Sequence, residues 1–158
     1  MRALMEGAGQ EGPVLVIACG DKKIGGRGPH RVRDIYKGPL WSSYRKWRRD
    51  HGYGDDEDLP IPVYVLSAKH LLMPDSERIP HYDKKLTASE LPRYIPALRQ
   101  SLRKHGVEGR DIVYAGPRPL YLEALEATGS NVTRLSGKGW GGMRKELKAW
   151  LDREVGNG

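Results

Sequence analysis

The stretch PVYVLSAKHLLMPDSERIPHYD, residues 62–83, decides how this chain is organised. It begins with a short apolar run, Val63 to Leu66, and then changes into a long polar segment that starts at Ser67. A buried strand that ends in a group of dissimilar polar side chains typically delivers them to a site. In open α/β sheets, ligands bind just outside the carboxyl ends of the strands. We therefore predict a strand followed by a functional loop.

Three more segments have strand length: the continuous apolar run at residues 14–18, residues 111–115, and a weaker candidate at residues 131–135. Helical patterns separate the runs. We predict one helix that begins at Pro39, a second at about residues 96–105 after a start broken by two prolines, a third from Pro119 to Ala127, and a last one after the Gly-rich turn. This alternation predicts an α/β fold, with a single three-layer α/β/α domain around a four-stranded, mainly parallel sheet. Residues 1–12 are predicted to be a flexible tail, and residues 13–155 the single α/β domain.

The charge favours an anionic partner. The 158 residues contain 27 Lys and Arg against 20 Asp and Glu, which gives a net charge of +7 and a pI near 9.6. This balance is typical of nucleic-acid binders, although a basic, solvated surface explains it equally well. One cysteine excludes an intrachain disulfide and fits a reducing cytoplasm. No apolar run reaches the roughly 18 residues of a membrane helix, so we predict a cytoplasmic protein with no membrane partner.

The carboxyl ends of the strands carry the candidate catalytic groups, which are Asp21, Lys69 and His70. Asp21 follows the first strand closely, and the adjacent Lys22 and Lys23 should keep it ionised. Such a carboxylate would orient a water or stabilise a developing sugar cation, whereas a turn-capping role is the alternative. Lys69 or Lys22 would act instead as an amine nucleophile if burial lowered its pKa.

Two Gly-rich segments are candidates for binding phosphate. The first, IGGRGPHRVRD, is neither a Walker A motif nor a dinucleotide fingerprint, and a flexible basic loop is an equally good interpretation. The second precedes the last helix, where free N–H groups suit anions, and a structural turn is its alternative. Aromatic residues in loops or at helix starts would stack on bases. The predicted nucleic-acid-binding residues are Lys22, Lys23, Arg27, Arg31, Tyr36, Ser67, Tyr82, Ser136, Gly137, Lys138, Gly139 and Trp140.

We predict neither a metal nor a cofactor. His70 and His81 are eleven positions apart, and Cys19 has no CxxC partner. The sequence has no GxSxG elbow that would support a Ser/His/Asp triad. Cys19 fits a small buried residue at a strand end better than a ligand.

Several of these motifs resemble a bacterial domain family of uncharacterised function. They are IACGDKK at residues 17–23, DIY at 34–36, LSAKHLL at 66–72, PHYD at 80–83 and LSGKGWGGM at 135–143. The family usually has Ser where this chain has Gly20-Asp21, and it usually has Gly where this chain has Leu71. It is distantly similar to the YaaA-type peroxide-stress proteins and to the archaeosine synthase catalytic domain. The layout also resembles the uracil-DNA glycosylase fold, in which an acidic loop follows the first strand.

These resemblances imply chemistry on a nucleic-acid base. We expect a DNA glycosylase-type enzyme that hydrolyses the N-glycosidic bond of a modified base in DNA after base flipping, in repair or in antiviral defence. Asp21 would position water, and Lys69 or His70 would stabilise the departing base. The alternatives are a non-catalytic DNA-binding stress protein and a nucleoside or tRNA-base transferase.

Overall fold

The computed structural model describes residues 12–19, 28–80, 82 and 84–156. The predictions for residues 1–11 lie outside this part of the chain. So do those for Asp21, Lys22, Lys23 and Arg27, and for the side chain of Trp140.

A mainly parallel five-stranded sheet consists of β1 (Val14–Ala18), β3 (Val63–Ser67), β4 (Leu71–Pro74), β6 (Ile112–Ala115) and β7 (Val132–Arg134). The order of the strands across the sheet is β4-β3-β1-β6-β7. A separate antiparallel ribbon joins β2 (His30–Arg31) to β5 (Arg78–Ile79). The predicted α/β class and parallel sheet are confirmed. The predicted number of strands is wrong, because β4 adds a fifth strand antiparallel to β3.

Helices cover both faces of the sheet. They are α1 (Val32–Ile35), α2 (Pro39–Asp50), α3 (Leu91–Lys104), α4 (Glu123–Ala127) and α5 (Gly139–Leu151). Leu15 and Ile17 pack with α2 and α5 on one face, whereas Val14 and Val16 pack with α3 and α4 on the other. Because both faces of β1 are covered, its sequence is apolar at every position.

Strand β4 was predicted as loop. It pairs antiparallel with β3, with Leu72 opposite Leu66. Leu71 enters the strand with a φ of 62°, in the left-handed region that glycine adopts without penalty. On the outer side of β4, Ser101 of α3 bonds both the N–H and the carbonyl of Leu72 through its hydroxyl. The hairpin therefore turns without a glycine and is held against α3.

Two helix boundaries differ from the prediction. Helix α3 begins at Leu91 and runs through Pro96 without a break, after a short turn at Ala88–Glu90 that has a capping box between Thr87 and Glu90. Pro92 lies in the first turn, where no N–H is needed, and Pro96 removes one bond, to the carbonyl of Pro92. Regular helix α4 begins only at Glu123, because Pro119 and Leu120 in the preceding irregular turn have non-helical angles.

Three arginines fix the acidic loop that precedes β3. Arg31 and Arg33 both donate to the carbonyl of Asp55, and Arg48 donates to the carbonyls of Gly54 and Glu57. Arg33 also forms ion pairs with Asp58 and with the buried Asp75. The loop is thus bound into the fold at the amino edge of the sheet.

The order of the strands creates a switch point between β1 and β6. The chain leaves β1 toward β3 on one side, and it leaves β6 toward β7 on the other. Ligands of open α/β sheets bind at such a point, outside the carboxyl ends of the two strands. Cys19 follows β1 there, and Gly116 follows β6. Across the described part of the chain, no helix is long and apolar enough to cross a membrane.

Candidate functional site

Five side chains form a polar group at the switch point, which we call the hydroxyl cluster: Cys19, Tyr36, Ser67, Tyr82 and Tyr121. The Cys19 thiol donates to the Tyr121 hydroxyl, with 3.3 Å between Sγ and O. The hydroxyl oxygens of Tyr36 and Tyr82 are 2.5 Å apart. Ser67 donates to the Tyr82 hydroxyl at 2.9 Å. Cys19 also hydrogen-bonds Tyr82, so residues from five separate segments meet here.

The phenols of the cluster stay protonated at neutral pH. Burial, followed by the neighbouring Cys19, raises the pKa of Tyr82 to about 12. Burial also raises the pKa of Tyr36, with Tyr82 as the next cause, and that of Tyr121, with Cys19 as the next cause. These hydroxyls therefore act as neutral donors and acceptors and not as bases.

Ser67 ties the end of β3 to the turn that carries His70. Its hydroxyl oxygen accepts the backbone N–H groups of Lys69 and His70 at 3.2 and 3.1 Å, and its carbonyl accepts the Tyr94 hydroxyl at 2.6 Å. The sequence favours this arrangement because a Ser at the first position of a turn bonds N–H groups two or three residues on. Ser67 is completely buried, so its role is to position the turn.

His70 lies against the hydroxyl cluster. Its ring meets the Tyr82 ring edge to face, with the centroids 5.0 Å apart. Burial, and then the charge of Lys69, lower the pKa of His70 below 6.5, so the imidazole is neutral at pH 7. Its Nε2 atom is buried and has no hydrogen-bond partner among the described residues. Buried polar atoms are usually paired, so this nitrogen is a position where a ligand would complete the bonding.

Gly116 lets the ends of β1 and β6 approach each other. A Cβ atom at Gly116 would lie 2.6 Å from the Tyr114 hydroxyl and 2.7 Å from the Ala18 Cβ. The Tyr114 hydroxyl donates to the Pro117 carbonyl, which shapes the turn after β6. The Trp41 indole donates to the Ala18 carbonyl at 2.9 Å and holds the end of β1 to α2. Both strand ends are therefore fixed before the site begins.

The Gly-rich turn before α5 is packed tightly against the helix that follows. A Cβ at Gly137 would lie 2.3 Å from the carbonyl carbon of Gly142, and Gly139 has a φ of 61°. Both facts are structural reasons for glycine. Ser136, Gly137, Lys138 and Gly139 are exposed and follow β7, which is separated from β1 by β6.

The predicted site residues divide into those that meet at the switch point and those that lie elsewhere. The first group consists of Tyr36, Ser67, His70 and Tyr82. Tyr36 and Tyr82 are 0% and 4% exposed, so they offer hydroxyl groups there and not the open ring faces predicted for stacking. Arg31 is 9% exposed, and its guanidinium bonds Asp55 and Asp56 of the acidic loop. Lys69 is exposed on the turn beside His70.

Tyr121 and Tyr94 also contact this site and were not predicted as site residues, and Cys19 was predicted only as a small buried residue. Tyr121 is in the irregular turn after β6, and Tyr94 is in the first turn of α3, so each reaches the site from a different connection. One signal was present for Tyr121, which follows the end of β6 by six residues. Searches against protein-family models, curated proteins and solved structures found no match for this chain.

Proposed function

We propose that this protein hydrolyses the N-glycosidic bond of a modified base in DNA. The observation that supports this most directly is His70, a neutral imidazole with an unpaired buried nitrogen at the switch point of a basic α/β domain. A base extruded from the duplex would place a nitrogen or carbonyl oxygen against Nε2. A neutral imidazole N–H donates a hydrogen bond to the negative charge that develops on the departing base.

Asp21 takes the carboxylate role in this proposal. It follows Cys19 by two positions in the sequence, and two residues of chain reach at most about 7 Å. The water oxygen bonds to the anomeric carbon while the carbon–nitrogen bond breaks, and the electron pair of that bond leaves with the base. The water proton passes to Asp21, and the His70 N–H stabilises the base. Neutral phenols of the hydroxyl cluster would order the water without competing for its proton.

A panel of modified-base duplexes tests the reaction. We expect an abasic site in at least one duplex, detected as strand scission after alkali. Asp21→Asn and His70→Gln should each lower the rate by about 10²- to 10⁴-fold, the range of general acid–base catalysis. Asp34→Asn changes an exposed carboxylate on α1 and should keep the wild-type rate. His105→Gln is the control for His70, because burial also lowers the pKa of His105.

The same panel separates the alternatives. Tight DNA binding with no abasic site in any duplex would support a non-catalytic DNA-binding protein and refute the enzyme. Turnover of free nucleosides with no requirement for polymer would support a nucleoside transferase. Full activity in Asp21→Asn would remove Asp21 from the mechanism.

A further inference from the structure

A groove between α2 and α5 carries an unusual concentration of positive charge. Its volume is about 290 Å³. It is lined by Ser43, Lys46, Trp47, Asp50, Gly141, Arg144, Lys145 and Lys148. Four of these side chains are cations and one is a carboxylate, so the lining has a net charge of +3. The groove is on the outer side of α2 and α5 and shares no residue with the hydroxyl cluster.

Each wall is one stripe of a helix. On α2 the lining positions are 43, 46, 47 and 50, and on α5 they are 141, 144, 145 and 148. Both sets have the spacing i, i+3, i+4, i+7, which places residues on a single helix face. Seven residues of helix rise about 10.5 Å. Phosphates of one DNA strand recur about every 3.4 Å along the duplex axis, so each wall spans about three of them.

The cations are arranged so that their charge remains available. The Arg144 Nε donates to the Ser43 hydroxyl at 2.7 Å, which joins the walls and holds the guanidinium in the groove. Lys46 pairs with Asp50 at 2.6 Å, and this hydrogen bond is the main cause that lowers the Asp50 pKa. Lys145 and Lys148 are exposed on α5. One carboxylate therefore orients a lysine and leaves most of the positive charge for a polyanion.

The groove leads from the edge of the sheet where the candidate site lies. Both α2 and α5 begin at the carboxyl edge, since Trp41 bonds the end of β1 and Gly139 follows β7. We propose that the groove binds the sugar–phosphate backbone of DNA beside the base that the switch point receives. The identity of the polymer rests on the proposed function, but binding in the groove does not require catalysis.

The test is the salt dependence of binding to an unmodified 20-base-pair duplex with a fluorescent end label, followed by anisotropy. Neutralising one phosphate contact changes the slope of log K against log salt by about 0.9. The triple variant Arg144→Ala, Lys145→Ala, Lys148→Ala should therefore reduce the slope by about 2 to 3. Lys46→Ala, on the other wall, should reduce it by less than about 0.9, because Lys46 is already paired with Asp50.

The matched control removes the same charge from the opposite face of the sheet. Arg93, Arg103 and Lys104 are exposed on α3, and their triple alanine variant should change the slope by no more than about 0.5. Equal slopes for the two triple variants would show a diffuse charge effect and overturn the proposal. So would a wild-type protein that binds phosphatidylserine vesicles through the groove and no duplex. Groove-dependent duplex binding without any abasic product would retain the groove and refute only the enzyme.

Discussion

Replacing Gly137 by alanine separates the two explanations of the Gly-rich turn. A Cβ at this position would lie 2.3 Å from the Gly142 carbonyl carbon and 2.7 Å from the Met143 nitrogen. Both are backbone atoms at the start of α5, so the helix must shift before the contacts reach the ordinary range of 3.4–4 Å. Overpacking of this kind costs about 1–3 kcal/mol, and the rigid neighbours place Gly137→Ala near 3 kcal/mol. For a domain of this size the melting temperature should fall by about 6–12 °C.

Gly141→Ala is the matched control, four positions along the chain. A Cβ there meets no atom within 4 Å, and alanine is a better helix former than glycine, so stability should rise by about 0.5 kcal/mol. Urea unfolding followed by circular dichroism measures both variants. If Gly137→Ala unfolds within 0.5 kcal/mol of the wild type and binds phosphate or DNA less tightly, the glycine serves anion approach and the packing explanation is refuted.

Three further predictions follow from single side chains. His70 should titrate in NMR spectra with a midpoint below pH 6.5, because burial and the charge of Lys69 lower its pKa. The free energy of unfolding should therefore fall as the pH drops from 6.5 through that midpoint. A midpoint at or above pH 6.5 would contradict this prediction. Leu71→Gly should be about 1 kcal/mol more stable in urea than Leu71→Ala, because φ is positive there; the usual reverse order would refute the strain. Arg33→Met should lower the free energy of unfolding by about 3–5 kcal/mol, because it removes the ion-pair partner of the buried Asp75. Since burial raises the pKa of Asp75 above 3.8, this deficit should shrink as acid protonates the carboxyl group, and a deficit independent of pH would contradict the account.

The parallel sheet was predictable because its central strand, residues 14–18, is a continuous apolar run and further strand-length segments alternate with helical patterns. The inward positions of α2 and α5 were equally readable from helical spacing, and Leu40, Tyr44, Trp47, Met143 and Leu147 are all buried. Strand β4 was not predictable in the same way. Its turn has Leu71 in a backbone conformation typical of glycine, so the sequence lacks the usual hairpin signal.

The site was only partly predictable, for a related physical reason. His70 and Ser67 are close in sequence and follow an evident strand, so their shared turn could be anticipated. Tyr36 and Tyr121 reach Cys19 from connections far apart in the chain, and no local pattern encodes that meeting. The contacts of Arg31 could not be anticipated, because an isolated arginine in a basic segment gives no sign that a distant acidic loop will bind it.

The bonds that the Ser101 hydroxyl of α3 makes to β4 have a consequence for self-association. An outer strand normally presents unpaired N–H and carbonyl groups, which recruit strands from other molecules and start fibrils. Here Ser101 occupies both groups of Leu72, Pro74 has no N–H to offer, and the strand is only four residues long. At the other margin, β7 has only three residues. Both edge strands of the sheet therefore offer few backbone groups for pairing with another molecule. Ser101→Ala would leave the N–H and carbonyl of Leu72 unpaired at one edge.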